Sequence, residues 1–413
     1  MSGQAVVVGA GAIGVASAHS LAEAGFAVTL VDRAEVGRGC SFANAGLIVP
    51  GHSQALAGPG VIAEGLRHLL RRDSPFTIRP RPDPALVRWL LAFRRACGLE
   101  SYRRTTAILT ELSQASLALF DDLVRRGEAD FGYRSGPLIN AYTTEGWRGA
   151  AAAFAEELEG LGIGSRQVDA VEARELEPAL SETVTGALLI EGQASGDCHA
   201  YVRSLAERLS TRGAATMLGR AVRRVAVRGG RAAGVVLEDG EEVPADLVVL
   251  AAGAWTPRLT APLGLRLPIQ PATGYSDTLP AWPGAPRTPI IFDDTHVVVL
   301  PLEGRVRFAG TLELAGFRTA PDPVRYHAVV RAGRRALRDV PPGEGEAWFG
   351  FRPLMPDDLP AIGWVPWVEG AMVAAGHGTL GFTQSPITGR LVAELATGKV
   401  PTLDVTPFRP DRF

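Results

Sequence analysis

Lysine is almost missing from this sequence: of its 42 basic residues only Lys399 is not arginine. That lysine sits between Gly398 and Val400, a poor setting for a Schiff base to a pyridoxal cofactor. No Gly-Lys-Ser/Thr run exists, which excludes a Walker-type phosphate loop. Cysteine is scarce too. Cys40, Cys97 and Cys198 are far apart and odd in number, with no Cys-x-x-Cys, so neither a structural zinc nor a disulfide framework is expected. No metal site is expected, and the pattern suits a reducing cytoplasm. No run of some 18–20 apolar residues is present, so no membrane span is expected. The opening MSGQAVVVGAG has no basic region ahead of a long apolar stretch and does not read as a signal peptide. A net charge of −2 gives no reason to expect nucleic acid as a partner. Glycine and proline are plentiful, at 48 and 30 of 413 residues, as a fold with many tight turns and close backbone approaches requires. The length calls for two to three folding units.

The first chemistry is at the start. Ala5–Val8 is a short apolar run of the kind that forms a buried parallel strand. Gly9-Ala10-Gly11-Ala12-Ile13-Gly14 follows at once, Val15–Ala24 then reads as a helix ending at Gly25, and Val28–Val31 as a second strand ending in Asp32-Arg33. Gly9 permits the tight turn, Gly11 lets backbone approach a pyrophosphate, and Gly14 lets helix and strand pack closely. The helix N-terminus, through Ala12 and Ile13, offers N–H groups and a positive dipole to phosphates. Asp32 can accept from a ribose diol, with Arg33 beside it. The competing reading is a structural glycine-rich turn; strand before, helix after and acid at the next strand's end favour a dinucleotide.

A nicotinamide enzyme would continue in regular strand–helix alternation. Here Gly37–Leu47 is instead small and polar, without helical or strand period. Such a segment, with Ser41, Asn44, Ala45, Gly46 and Leu47, can lay N–H groups and a hydroxyl along an extended ligand. FAD is longer than NAD at its reactive end and needs that cradle.

Four features together resemble the FAD-dependent amine and D-amino-acid oxidoreductases, the family of D-amino-acid oxidase, glycine oxidase and sarcosine oxidase. They are Gly9–Gly14 with Asp32; Ser41–Leu47 followed by Pro50-Gly51-His52; Ala245–Trp255; and Gly350–Asp357 with Gly376–Thr383. They span the whole chain in the family's order, and the branch they most resemble is the bacterial D-amino-acid dehydrogenases. Two departures stand out: Asp32 replaces the commoner glutamate, and Cys40 stands where a small hydroxyl residue is frequent.

The resemblance implies an α/β fold with an α+β substrate part: a Rossmann-type FAD-binding domain (residues 1–55, 165–256 and 348–413) interleaved with an antiparallel-sheet substrate domain (56–164 and 257–347). It implies non-covalent FAD held also by Val222 at the adenine end, by Gly253 and Trp255, and by Gly378, Thr379, Leu380, Gly381 and Thr383 ahead of the helix Ser385–Thr397. The implied reaction is oxidative deamination of D-amino acids to 2-oxo acids and ammonia, with hydride transfer from Cα to the flavin and electrons passed to a quinone or other acceptor. Arg352, between Gly-Phe and Pro, is the expected clamp for the substrate carboxylate, since a guanidinium is bidentate and permanently charged. A salt bridge of Arg352 to Asp357 or Asp358 is the alternative. Tyr275 would add a hydroxyl hydrogen bond, and His52 would stand at the active-site mouth. His377 reads as a residue that positions backbone. Other outcomes stay open: a D-proline or D-hydroxyproline dehydrogenase, a sarcosine- or glycine-type oxidase, or a flavin-binding subunit of a hetero-oligomer. With one lysine, the oxygen-activating lysine of sarcosine oxidases is absent.

Leu56–Cys97 is the most basic stretch, with Arg67, Arg71, Arg72, Arg79, Arg81, Arg88, Arg94 and Arg95 against three acids. Its helix-like pieces, Val61–Arg72 and Pro84–Ala96, read either as ordinary surface helices or as a peripheral contact with the inner face of a cell membrane, where a quinone would be reached. The oligomeric state is open.

Overall fold

The computed structural model describes residues 3–68 and 76–413. The expected helix Val61–Arg72 runs over Val61–His68; its last four positions lie outside the described residues. Pro84–Ala96 is helical as expected, capped by the Asp83 carboxylate, which accepts from the Ala85 and Leu86 N–H groups.

Two large sheets organise the chain. The first has six strands, in the order Ala361–Trp364, Ala371–Ala375, Leu247–Leu250, Gln4–Val8, Ala27–Asp32 and Ala215–Leu218. All neighbours are parallel except the outermost pair, Ala361–Trp364 with Ala371–Ala375. The strand Leu247–Leu250 is buried on both faces, which is why it reads as an unbroken apolar run. Alternation appears in how the faces are shared. Val7 and Val249 pack with Val15, Leu21, Tyr201 and Leu391 of the helices Ala12–Glu23, Cys198–Thr211 and Ser385–Ala396. Val6, Val8, Val248 and Leu250 face the other way, onto Val225, Val235 and Leu237 of a three-stranded meander. Each such side chain, fully buried, is worth roughly 1.5–3 kcal/mol relative to exposure. The meander's first hairpin turns at Gly229-Gly230, with φ of 59° and 78°; a two-residue turn of this hand needs positive φ at both positions.

The second sheet has ten strands. Its main path runs Glu346–Leu354, Gln270–Pro280, Arg305–Leu314, Val297–Leu302, Ile290–Phe292, Arg134–Tyr142, Gly186–Ser195 and Leu47–Ile48, with Phe76–Ile78 and Ser165–Asp169 paired at its sides. It is antiparallel apart from two pairs. The chain passes between the sheets repeatedly, so the Rossmann-type and antiparallel parts are interleaved. Strand pairing divides the sequence differently from the expected boundaries: Ser165–Asp169, Gly186–Ser195 and Glu346–Leu354 hydrogen-bond into the antiparallel sheet, not the nucleotide sheet. The reason is pairing with distant partners such as Arg134–Tyr142, which no local pattern announces.

Candidate active site

The tips of Gln4–Val8, Ala27–Asp32 and Leu247–Leu250 end together, and Gly9 N–H donates to Val31 O at 2.8 Å while Ala251 N–H donates to Val8 O at 2.9 Å. From there a cavity of about 1290 Å³ runs between the two sheets. All but two of the expected site residues lie on its wall.

Those two are Gly14 and Gly46. A Cβ on Gly14 would stand 1.7 Å from Gly9 O, so this glycine lets the helix close on the turn. Gly46 has φ 66° and its N–H donates to Asn44 Oδ1 at 2.7 Å, so it shapes the cradle from behind. Gly9 has φ 113°, a conformation that excludes a side chain, and Gly11 is the helix N-cap without a side-chain oxygen to occupy the first turn. Ser41 Oγ accepts the Ala12 N–H at 3.0 Å, tying the cradle to that helix. Both Asp32 oxygens already accept backbone N–H groups, from Ala10 at 2.7 Å and Ala34 at 2.8 Å, each keeping capacity for a second donor. Arg33 lies over the Trp255 ring, 3.9 Å from its centroid. Arg307, buried, holds the cradle by donating to Asn44 O at 2.9 Å. Thr383 Oγ1 donates to Leu47 O at 3.1 Å and accepts the Val49 N–H at 3.4 Å, so it joins the C-terminal loop to the cradle. Ile13, Ala45, Leu47, Val222, Gly253, Gly378, Thr379, Leu380 and Gly381 also line the cavity.

One residue of the wall carries an orphaned polar atom. His377 is 3% exposed; its Nε2 meets Thr388 Oγ1 at 2.9 Å, and its Nδ1 is buried without a partner. The Thr388 hydroxyl donates to Gln384 O, so it accepts from Nε2–H and leaves Nδ1 as a lone-pair acceptor. Burial pulls the His377 pKa down to about 3, so the ring is neutral. A buried acceptor without a donor is costly. The N–H groups of the first helical turn, to which the N-cap Gly11 offers no side-chain oxygen, are donors that the phosphate oxygens of a dinucleotide would accept. The cavity fits FAD, which the glycine turn, the cradle and the 376–383 loop would hold.

A profile described as FAD-dependent oxidoreductase (DAO) matches residues 4–395. The chain belongs to this family. Members similar to it include the D-amino acid dehydrogenases of Cereibacter sphaeroides (strain ATCC 17029), 35% identical over 99% of this chain and 95% of that protein, and of Bradyrhizobium diazoefficiens, 34% identical over 99% and 98%. Among solved structures, glycine oxidase from Geobacillus kaustophilus superposes with a TM-score of 0.78 at 25% identity, covering 100% of this chain and 99% of that one. L-proline dehydrogenase from P. horikoshii shares the fold, with a TM-score of 0.74 at 20% identity over 100% and 98%. The protein is an FAD-dependent oxidoreductase.

Opposite the nucleotide end, the family fold seats Arg352. It lies on Glu346–Leu354, and its neighbour strand has Ala272 directly across and Gly274 two positions on. Arg352 Nη1 donates to Thr311 O at 2.8 Å. Thr311 has φ 65° and is the extra residue of a β-bulge, where Tyr275 pairs with Gly310 and Thr273 with Glu313. The bulge turns the Thr311 carbonyl to the guanidinium. Arg352 forms no ion pair among the described residues. Asp357 pairs with Arg412 at 2.8 Å, and Asp358 accepts the Ala57 N–H at 2.8 Å, which removes the expected alternative. Burial weakens the Arg352 guanidinium's hold on its proton, with Cys40 a smaller opposing influence. Cys40 is itself held protonated by burial, against the pull of Arg352.

Tyr275 is on the wall but its hydroxyl is committed: it donates to Glu313 Oε2 at 2.7 Å and accepts the Asp322 N–H at 3.3 Å. The expected hydroxyl contact with substrate is therefore not what this hydroxyl makes. His52 lines the cavity, and its Nε2 meets Asn140 Oδ1 at 3.1 Å. Sequence reasoning missed Thr311, Asn140 and Asp293, which act on Arg352 and His52 from distant strands and belong to no local motif.

Proposed function

We propose that this protein oxidises the Cα–N bond of D-amino acids, which yields a 2-oxo acid and ammonia after hydrolysis. One observation carries the reading: a guanidinium on the wall of the cofactor cavity, desolvated and without a carboxylate partner in the protein. A half-buried charge with no partner is costly to keep, and a site that keeps one is built for an anion that arrives with the ligand. A planar carboxylate matches the guanidinium fork. Arg352 binds it and sets the distance of Cα from the cofactor; the apolar walls exclude water. The chemistry FAD supplies when bound is acceptance of a hydride from Cα. The similarity to D-amino acid dehydrogenases supports the D-amino-acid class.

A quinone is the acceptor we favour over oxygen. The cavity is rimmed by Val61–His68 and Pro84–Ala96, where Ile62, Val87 and Leu91 are 40%, 54% and 52% exposed beside Arg94. Exposed apolar side chains flanked by arginine suit the interfacial region of an anionic membrane on its cytoplasmic side. No helix among the described residues is long and apolar enough to cross one. The test is anaerobic mixing of holoenzyme with D-amino acids, D-proline, sarcosine and glycine, followed by air or a soluble quinone. Flavin bleaching by D-amino acids, with faster return of colour on quinone than on air, is expected. No bleaching across the panel would refute the reading and favour the subunit alternative.

A further inference from the structure

His52 sits at the end of a chain of side chains that runs away from the cavity. Its Nε2 meets Asn140 Oδ1 at 3.1 Å, and Asn140 Nδ2 donates to Asp293 Oδ2 at 2.8 Å. These three come from the turn Pro50–His52, the strand Arg134–Tyr142 and the residue just after Ile290–Phe292, which pairs with that strand in parallel. Direction follows from donor and acceptor chemistry. Asn140 turns its NH2 to Asp293 and its oxygen to His52; above pH 7, where Asp293 is ionised despite its raised pKa of about 7, the carboxylate only accepts and holds the amide in that sense. Asn140 is fully buried, so these partners and not water set its orientation. The His52 nitrogen facing that oxygen must then carry the hydrogen, which leaves Nδ1 with a bare lone pair. Nδ1 makes no hydrogen bond within the described residues and is not among the buried orphan atoms, and the ring lines the cavity.

We propose that Asn140 and Asp293 are positioning residues that hold His52 as its Nε2–H tautomer, so that Nδ1 accepts a hydrogen bond from the substrate's nitrogen. This rests on the amino-acid reading above and adds the group that recognises the nitrogen end. An amino acid held by its carboxylate alone can swing about that anchor. A second contact, from N–H to Nδ1, fixes the nitrogen so that Cα presents one face. No proton is transferred in this role; the hydrogen stays on nitrogen. Burial supports it by holding the His52 pKa down at about 4, which keeps the ring neutral and Nδ1 an acceptor at working pH. Phe154, 5.3 Å from the ring centroid, backs the imidazole.

The test uses holoenzyme labelled with 15N-histidine. His52→Gln identifies the His52 signals among the seven histidines. The wild type is expected to show Nδ1 unprotonated and Nε2 protonated. Asp293→Asn removes the group that fixes the amide's direction. It is expected to give a mixture of tautomers and about a tenfold slower flavin reduction, the size of one lost hydrogen bond. A simple carboxylate lacking nitrogen should still bind it within about twofold of wild type, since Arg352 is untouched. His52→Leu should lose a similar factor, and His52→Gln, which keeps an acceptor, should recover most of it. If Asp293→Asn does not yield folded holoenzyme, Asn140→Ser carries the same tautomer measurement. An Nδ1–H tautomer in the wild type, or variants that match it in both tautomer and rate, would overturn the proposal. If the wild type is reduced by no amino acid, it is the amino-acid reading that fails, while the tautomer measurement still stands by itself.

Discussion

A Cβ atom on Gly274 would lie 1.9 Å from Nη1 of Arg352. The guanidinium occupies the space that a side chain on the neighbouring strand would fill. Gly274→Ala should therefore displace Arg352 while the strand survives. We expect apparent substrate affinity to fall about tenfold or more, with a stability loss of about 1–3 kcal/mol from overpacking. Substrate titration of flavin reduction and urea unfolding read the two effects separately.

Arg352→Met should trade binding for stability. Loss of a desolvated charge–carboxylate pair costs about 2–5 kcal/mol of affinity. The free protein should gain stability, because the unpaired charge is gone and the apolar stem remains. A variant that binds substrate normally, or melts below the wild type, would contradict the unpaired-charge account.

Thr311→Gly should leave activity nearly intact and change stability by no more than about 1 kcal/mol, since the bulge needs positive φ and only the carbonyl contacts Arg352. Thr311→Pro cannot reach that φ and should be strongly destabilised. Thermal melting and substrate titration of both variants check this.

Asp293 gives a pH signature. Burial, reinforced by Asp294, raises its pKa to about 7 from 3.8, and the Asn140 hydrogen bond only partly offsets this. Between those values the folded state binds more protons than the unfolded one, so this group stabilises at low pH and its contribution is lost as pH rises through 7. Relative to the wild type, Asp293→Asn should gain stability between pH 5 and pH 8, in urea midpoints. His52 and His377 work the opposite way: their lowered pKa values of about 4 and 3 withdraw stability as pH falls below 6.5.

Leu91→Asp should slow reoxidation by a lipophilic quinone in vesicles and leave reduction by substrate unchanged. Equal loss with a soluble quinone would show that the rim is structural.

The nucleotide half was legible in sequence because its signals are local: Gly9–Gly14, an apolar strand on each side, Asp32 at a strand end. Arg352 was picked out by the likeness of its Gly-Phe-Arg-Pro setting to the family's, and it lies on the cavity wall. Strands 134–142 and 186–195 were not, since Gly136-Pro137 and Gly192 interrupt their patterns and their pairing partners lie some fifty residues apart. Tyr275 shows the limit for single residues. Its aromatic body sits on the cavity wall, yet its hydroxyl donates to Glu313, 38 residues on. Donors and acceptors that meet across a sheet leave no trace in local spacing.

Thr383 bonds to Leu47 and Val49 across more than 330 residues of chain. During synthesis, then, the cradle waits for its closing loop until nearly all of this sequence has left the ribosome. Cofactor cannot template the early folding steps; it can only lock a chain already wound through both sheets. Shortages of flavin in the cell should accordingly show up as poorly protected full-length protein, not as arrested fragments.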